Sequence, residues 1–197
     1  MIRKNLINCN LICEKNGTKS LFDSCMESFR IEKETCPSCK RTGDCKRHAY
    51  YYRYIIDFIH GRIISTRIRI LRVICSCGHT HAILPDPIIP YTSYSLFFIL
   101  RTITEYALRI KTVSKLCDIF KIPPATLYRW LKLYREHWSF WKGILESAED
   151  CLFSSIKTLI LKNPFSDFSH TFFKSTGISF MQSHKNPTQS KRRGNSS

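Results

Sequence analysis

Two cysteines and two histidines fall within seven positions, Cys75, Cys77, His79 and His81, in the stretch "VICSCGHTHAILP" at 73–85. Thiolates and imidazoles suit borderline metal ions, and this set offers more groups than the rest of a shared tetrahedral site requires. A second pair, Cys36 and Cys39 in "CPSC", stands upstream. Two thiolate pairs brought together complete a tetrahedral structural site, so Cys36, Cys39, Cys75 and Cys77 are the candidate ligands and Zn2+ the candidate ion. The second pair is one residue shorter than usual. The site therefore closes either by strained Cys-x-Cys chelation or by Cys77 acting with His79 or His81, and Cys45 and His48 stand in reserve. A redox reading of "CPSC" needs a strand before it and a helix starting at it. Here a charged arm precedes the motif and a Gly-containing polar turn follows it.

Bringing the pairs together requires an element that reverses the chain between them. "AYYYRYIIDF" (49–58) and "IISTRIRILRVIC" (63–75) are rich in β-branched and aromatic residues, and the second alternates Arg67 and Arg69 with Ile68 and Ile70. Period-two alternation predicts strands, and "HGR" (60–62) between them predicts a turn, giving a hairpin that joins "CPSC" to "CSCG". After Leu84, "PDPIIP" (85–90) reads as a rigid connector, because each proline fixes φ and removes a donor. A domain boundary is expected there.

Helical periodicity takes over beyond it. Leu96, Ile99, Leu100, Ile103, Ala107 and Ile110 form one apolar stripe, with Ser95 placed to cap it. Residues 112–137 read as two short helices about a tight turn at Lys121, Ile122 and Pro123. Val113, Leu116, Cys117 and Phe120 share a face of the first. Pro124 suits the opening position of the second, whose buried face is Leu127, Trp130, Leu131 and Tyr134. Trp138, Phe140 and Trp141 are expected to continue into a packing helix to about residue 149. Such a pair is the form of a helix-turn-helix, in which the second helix enters the major groove. Its opposite face presents Ala125, Tyr128, Arg129 and Lys132, with Thr126 at the edge and Lys121 in the turn. Arg and Lys pair with guanine acceptors or phosphate, and Thr suits phosphate or a thymine methyl. The alternative is a helical hairpin with a solvated basic face.

The charge balance favours a polyanion. Lys and Arg number 31 against 15 Asp and Glu, a net +16. Residues 1–35 carry only +1, residues 36–90 carry +6, 91–150 carry +3 and 151–197 carry +6. The first 35 residues are thus the least suited to contact nucleic acid. The longest apolar run, "LFFIL" at 96–100, is far short of the roughly 20 residues of a membrane span. Ten cysteines without a secretion signal point to a reducing cytoplasm.

The blocks "VICSCGHTHAILP", "IIPYTSYSLFFIL" and "TVSKLCDIFKIPPATLYRW" together resemble an uncharacterised bacterial family related to the N-terminal regions of insertion-sequence transposases. The resemblance covers residues 36 to 150. In that family a zinc ribbon precedes a helix-turn-helix, which implies double-stranded DNA as partner, at element ends or another defined site. By motif match Cys36, Cys39, Cys75 and Cys77 would hold zinc, and Thr126, Arg129 and Lys132 would face DNA. Two departures stand out: the shortened second cysteine pair, and Pro123 where a Ser-like cap is common. A homodimer or a separate catalytic recombinase is the protein partner this implies.

Transposition chemistry needs three carboxylates around two metal ions. After residue 137 the acidic residues are Glu146, Glu149, Asp150 and Asp167, without alternating strands around them. The expectation is therefore a non-enzymatic, zinc-stabilised, sequence-specific DNA-binding protein of α+β class. Its expected divisions are an arm (1–35), a zinc-ribbon hairpin (36–84), a connector (85–94), an all-helical helix-turn-helix domain (95–150) and a flexible basic tail (151–197). In the tail, "LFSSIKTLILK" is the one helical stretch and "SHKNPTQSKRRGNSS" reads as disordered. The alternatives are a zinc ribbon that docks on protein or RNA, and a transcriptional regulator unconnected with transposition.

Overall fold

The computed structural model describes residues 2–4, 17–109, 111–142 and 165–183. Its class is α+β: a small mostly antiparallel sheet and five described α-helices. The sheet is built on strands β2 (Cys45–Ile59) and β3 (Arg62–Cys75), paired antiparallel from Cys45↔Cys75 to Ile59↔Arg62. Two residues make the reversal, His60 (φ 49°) and Gly61 (φ 77°). Positive φ at both central positions is the tight hairpin turn whose twist matches the strands it joins. Gly61 takes that conformation without the Cβ penalty that His60 bears. The register slips once, between Arg47 and Ala49, so His48 is the extra residue of a bulge.

The sheet extends beyond the two strands expected from the alternation. Strand β4 (Thr80–Pro85) returns antiparallel along β3, and a three-residue strand β1 (Ile2–Lys4) runs parallel along β4. The spatial order is β1-β4-β3-β2. "THAILP" pairs because Gly78 turns the chain back after Cys75, and Ile83 and Leu84 are then buried on opposite faces of the sheet, in separate apolar clusters. Helix α1 (Gly17–Ser28) lies across the hairpin, with Phe22 in one cluster and Met26 reaching both. Its start is fixed by the buried Asp57 carboxylate on β2, which accepts from the Thr18 backbone N–H (2.9 Å) and hydroxyl (2.8 Å). That carboxylate satisfies donors the first helical turn otherwise leaves orphaned.

Residues 85–90, expected as a connector, are buried along their whole length. Ile88 joins the sheet cluster and Ile89 the helical one. Arg53 on β2 donates to the Ile89 carbonyl (3.1 Å) and to that of Thr92, pinning the segment to the sheet. Helix α2 (Leu96–Ala107) then starts at Ser95, whose hydroxyl accepts from Phe98 N–H at 3.0 Å. Helices α3 (Val113–Phe120) and α4 (Pro124–Lys142) follow. Helix α4 runs unbroken past Trp138, so the second short helix and the start of the expected packing helix are one element. The remainder of that packing helix, and "LFSSIKTLILK", lie outside the described residues.

One apolar cluster unites these helices. Ile103, Leu116, Phe120, Leu127, Trp130 and Tyr134 are all buried in it. A further helix, α5 (Phe165–Thr176), stands where the sequence shows no clear period, and adds Phe168 and Phe172 to the same core. The turn end of the hairpin is embedded there too, with the Phe58 and Phe120 rings 4.7 Å apart. Among the described residues no helix is long and apolar enough to cross a membrane.

Candidate metal centre

The hairpin ends carry the cysteine pairs. Cys36 and Cys39 sit in a loop just before β2, and Cys75 and Cys77 at the end of β3, so strand pairing delivers both to one point. Each pair occupies a tight backbone turn. Cys36 N–H donates to the Arg41 carbonyl and Lys40 N–H to the Cys36 carbonyl, both at 2.9 Å, with Lys40 at φ 64°. On the other side Cys75 N–H donates to the His79 carbonyl (3.0 Å) and Gly78 N–H to the Cys75 carbonyl (2.9 Å), with Gly78 at φ 81°. Both loops therefore close through a left-handed residue just after the second cysteine.

The two loops are also tied to each other. Ser76 donates through its N–H to the Asp44 carbonyl (3.2 Å) and through its hydroxyl to the Asp44 carboxylate (3.0 Å). Arg41 reaches the same carboxylate at 3.3 Å. Sequence reading did not single out Asp44, Ser76 or Arg41. The signal was only their position, one just before β2 and the others inside the loops.

The four sulfurs of Cys36, Cys39, Cys75 and Cys77 lie within 4.8 Å of one another. The two contacts that cross between the loops are Cys36 to Cys77 at 3.7 Å and Cys39 to Cys75 at 3.6 Å. Four thiolates at about 2.3 Å from a central zinc stand roughly 3.8 Å apart in a tetrahedron. The chemistry and spacing of the set fit a tetrahedral metal ion. Among the described residues it is the one group of three or more His, Cys, Asp or Glu so arranged. The hydrogen bond from the Cys77 backbone N–H lowers the Cys75 thiol below its ordinary range.

The histidines flank this set, one at each of two sulfurs. His81 on β4 is buried, with Nε2 3.3 Å from Cys36 Sγ, and His79 Nδ1 is 3.5 Å from Cys77 Sγ. Burial pushes His81 down to about 4, so its ring is neutral at pH 7. A neutral imidazole can direct its N–H at a thiolate. Cys45 is paired with Cys75 across the sheet but stays outside the set. Burial, then the neighbouring sulfurs, push its thiol up to about 11. His48 is exposed in the bulge.

The residues expected to face DNA are gathered elsewhere, on α4 and the turn before it. Tyr128, Arg129 and Lys132 are exposed, Thr126 is partly exposed, and Lys121 is exposed in the turn. Lys132 has an ion pair with Glu136 at 3.9 Å. None of these residues is among the cysteine site's contacts.

An α+β chain with a four-cysteine cluster at the open end of a β-hairpin is the class that fold and site define. Residues 36–130 match the family model of a domain of unknown function, DUF6431. The match starts on the first cysteine of the cluster and ends on Trp130 in α4, so it takes in the whole site, the buried connector and the first turns of that helix. No curated protein and no solved structure matches the chain.

Proposed function

We propose that this chain is a zinc-stabilised, sequence-specific DNA-binding protein that acts like the recognition portion of an insertion-sequence transposase, with α3, the Lys121–Pro123 turn and α4 as a helix-turn-helix. The observation that carries the reading is the division of α4. Its first half buries Leu127, Trp130 and Leu131 against α2 and α3 while turning Ala125, Tyr128, Arg129 and Lys132 outward. Helix α3 is eight residues long and braces it across a three-residue turn. An exposed, basic N-terminal half on a braced helix is what entry into the major groove requires. The net charge of +16 adds the sequence-independent attraction that phosphate provides.

In this reading Zn2+ is held by Cys36, Cys39, Cys75 and Cys77. An all-thiolate tetrahedral set is a closed, structural site, and the ion supplies folding energy to the end of the hairpin. No chemistry on DNA is included, so supercoiled plasmid incubated with Mg2+ or Mn2+ should remain unnicked.

Arg129 is the favoured base-reading residue, because Lys132 shares its charge with Glu136 one turn further on. Arg129→Ala should weaken binding to a selected duplex by about 1–3 kcal/mol and to random duplex much less. The measurement is a titration of both duplexes at low and moderate salt, with folding followed by circular dichroism. A parent affinity that ignores salt, or no duplex binding at low salt, would reject this function in favour of a protein-docking ribbon. A folded Arg129→Ala chain that binds both duplexes like the parent removes α4 as the reading helix.

A further inference from the structure

The face of the β2–β3 hairpin beside α1 carries a feature that neither the cysteine cluster nor α4 uses. Tyr50, Tyr52 and Tyr54 alternate along β2 and therefore point to one side of the strand. All three are exposed, Tyr52 by 56% and Tyr54 by 57%. Rings of this size left in water on consecutive same-face positions are a cost that a sheet surface ordinarily avoids. Two arginines from β3 lie on them. The Arg67 guanidinium is 3.9 Å from the Tyr52 ring centroid and that of Arg69 is 3.7 Å from Tyr50.

The register explains the pairing. Tyr52 is directly opposite Arg69 and Tyr54 opposite Arg67, so each arginine leans diagonally onto the preceding tyrosine of β2. Arg47, just before the bulge at His48, extends the row and approaches the Tyr50 hydroxyl at 3.4 Å. Together with the flank of α1, Tyr50, Tyr52, Arg47, Arg67 and Arg69 line a groove of about 400 Å³, and Tyr54 continues the aromatic row along the strand. Its lining holds four basic side chains, Lys19, Arg47, Arg67 and Arg69, against the single acid Asp23, which is already paired with Lys19.

We propose that this groove is a binding site for single-stranded nucleic acid. Planar aromatic and guanidinium surfaces stack unpaired bases, whatever their sequence, and the same arginines offer N–H groups to the phosphates between them. An arginine held flat on a tyrosine is pre-positioned for both tasks. Three same-face positions on a strand span roughly 13 Å, room for about two or three splayed bases. A duplex, whose bases are stacked inside, cannot use these rings. The site is independent of the duplex-reading proposal for α4, and either can fail without the other.

The test uses the full chain and four labelled 20-residue probes: oligo(dT), oligo(rU), an abasic phosphodiester strand, and a random duplex. Anisotropy should show the base-bearing strands binding at least about fivefold tighter than the abasic strand, whose charge is the same. Preference between oligo(dT) and oligo(rU) tells which strand chemistry the groove suits. The double variant Tyr52→Ala/Tyr54→Ala should lose about tenfold or more on base-bearing strands and stay within about twofold on duplex. Tyr52→Phe, which keeps the ring, should retain single-strand affinity, and Arg67→Gln guards against misfolding of the alanine variant by weakening single-strand binding from an otherwise intact surface. Equal affinity for abasic and base-bearing strands, or an equal loss on duplex in the folded double variant, overturns the proposal.

Discussion

Cys45 and Cys75 face each other across the hairpin, yet only Cys75 has its sulfur among the four that cluster. Cys45 packs with Leu71, Val73 and Ile83 in an apolar cluster, where burial keeps it protonated. Cys39→Ser removes one of the four clustered thiolates and should abolish metal retention through desalting. Cys45→Ser should retain one equivalent, at a modest cost in stability from a hydroxyl placed in an apolar site. Elemental analysis of both proteins, purified without chelator, decides it, and loss of metal from Cys45→Ser would mean that the ligand set is wrong. The cysteine pairs were legible in the sequence because their spacing is local. The approach of His81 to Cys36 was not, since it depends on β4 returning along β3. A second titrating residue belongs to the helical core. His137 packs between the Phe172 and Phe180 rings, and its Nδ1 accepts from Met181 N–H at 3.1 Å. Burial pushes this ring down from an ordinary 6.5 to about 4. Between those values the unfolded chain holds the extra proton, so stability is constant above the window and falls as pH drops through it, by about 2 kcal/mol at pH 5. His137→Asn, which keeps an acceptor near the Nδ1 position, should melt with a flatter pH profile than the parent. An unchanged slope would assign the acid sensitivity elsewhere.

The link between α3 and α4 shows what sequence periodicity reaches at the scale of elements. The apolar spacing of Leu116, Phe120, Leu127 and Trp130, with Pro124 between, located both helices and their three-residue turn. The closing geometry was hidden, because a lysine occupies the position where glycine is favoured. Lys121 is left-handed (φ 49°, ψ 46°), and Ile122 N–H donates back to the Cys117 carbonyl at 3.1 Å, with Ile122 buried in the helical core. That is the 6→1 bond and apolar contact of a glycine-type helix end. Pro123 lacks a capping side chain, and its carbonyl takes the first bonds of α4 from Thr126 and Leu127. The same blindness hid α5, whose Phe168 and Phe172 carry a helical period too short to register amid Ser and Lys, and the burial of 85–90, where prolines read as a linker. Lys121→Gly separates fold from function here. It should raise stability by about 1 kcal/mol by relieving the left-handed Cβ penalty. If Lys121 also contacts phosphate, the same change lowers the salt slope of duplex binding by about one unit. Denaturant titration and salt-dependent binding of one variant read both effects, and a destabilised Lys121→Gly chain would contradict the turn geometry.

At the scale of the whole molecule the long hairpin is a beam anchored at both ends by different means. At the turn end, Ile56, Phe58 and Ile63 are packed into the helical core, and Arg53 holds the 85–94 segment through the Ile89 and Thr92 carbonyls. At the open end the apolar cluster is small, with Phe29, Leu71, Val73 and Ile83 gathered around the cysteines. A hairpin of this kind has little stability of its own, so each end depends on what it is fastened to. Metal at the four sulfurs would fasten the open end as the helices fasten the other. Removing it should therefore act unevenly. Hydrogen exchange followed by mass spectrometry, before and after chelation, should show protection lost first around Cys36–Arg47 and Val73–His81. The Ile55–Ile64 turn region and helices α2–α4 should keep theirs, and helical circular dichroism should change little. Duplex binding through α4 would then survive chelation in large part, while whatever the open end of the sheet contributes would be lost. Uniform loss of protection along the chain would mean that sheet and helices unfold as one unit and that the metal supports both. Unchanged protection at the cysteines would mean that the loops, tied through Asp44 and Ser76, hold without it.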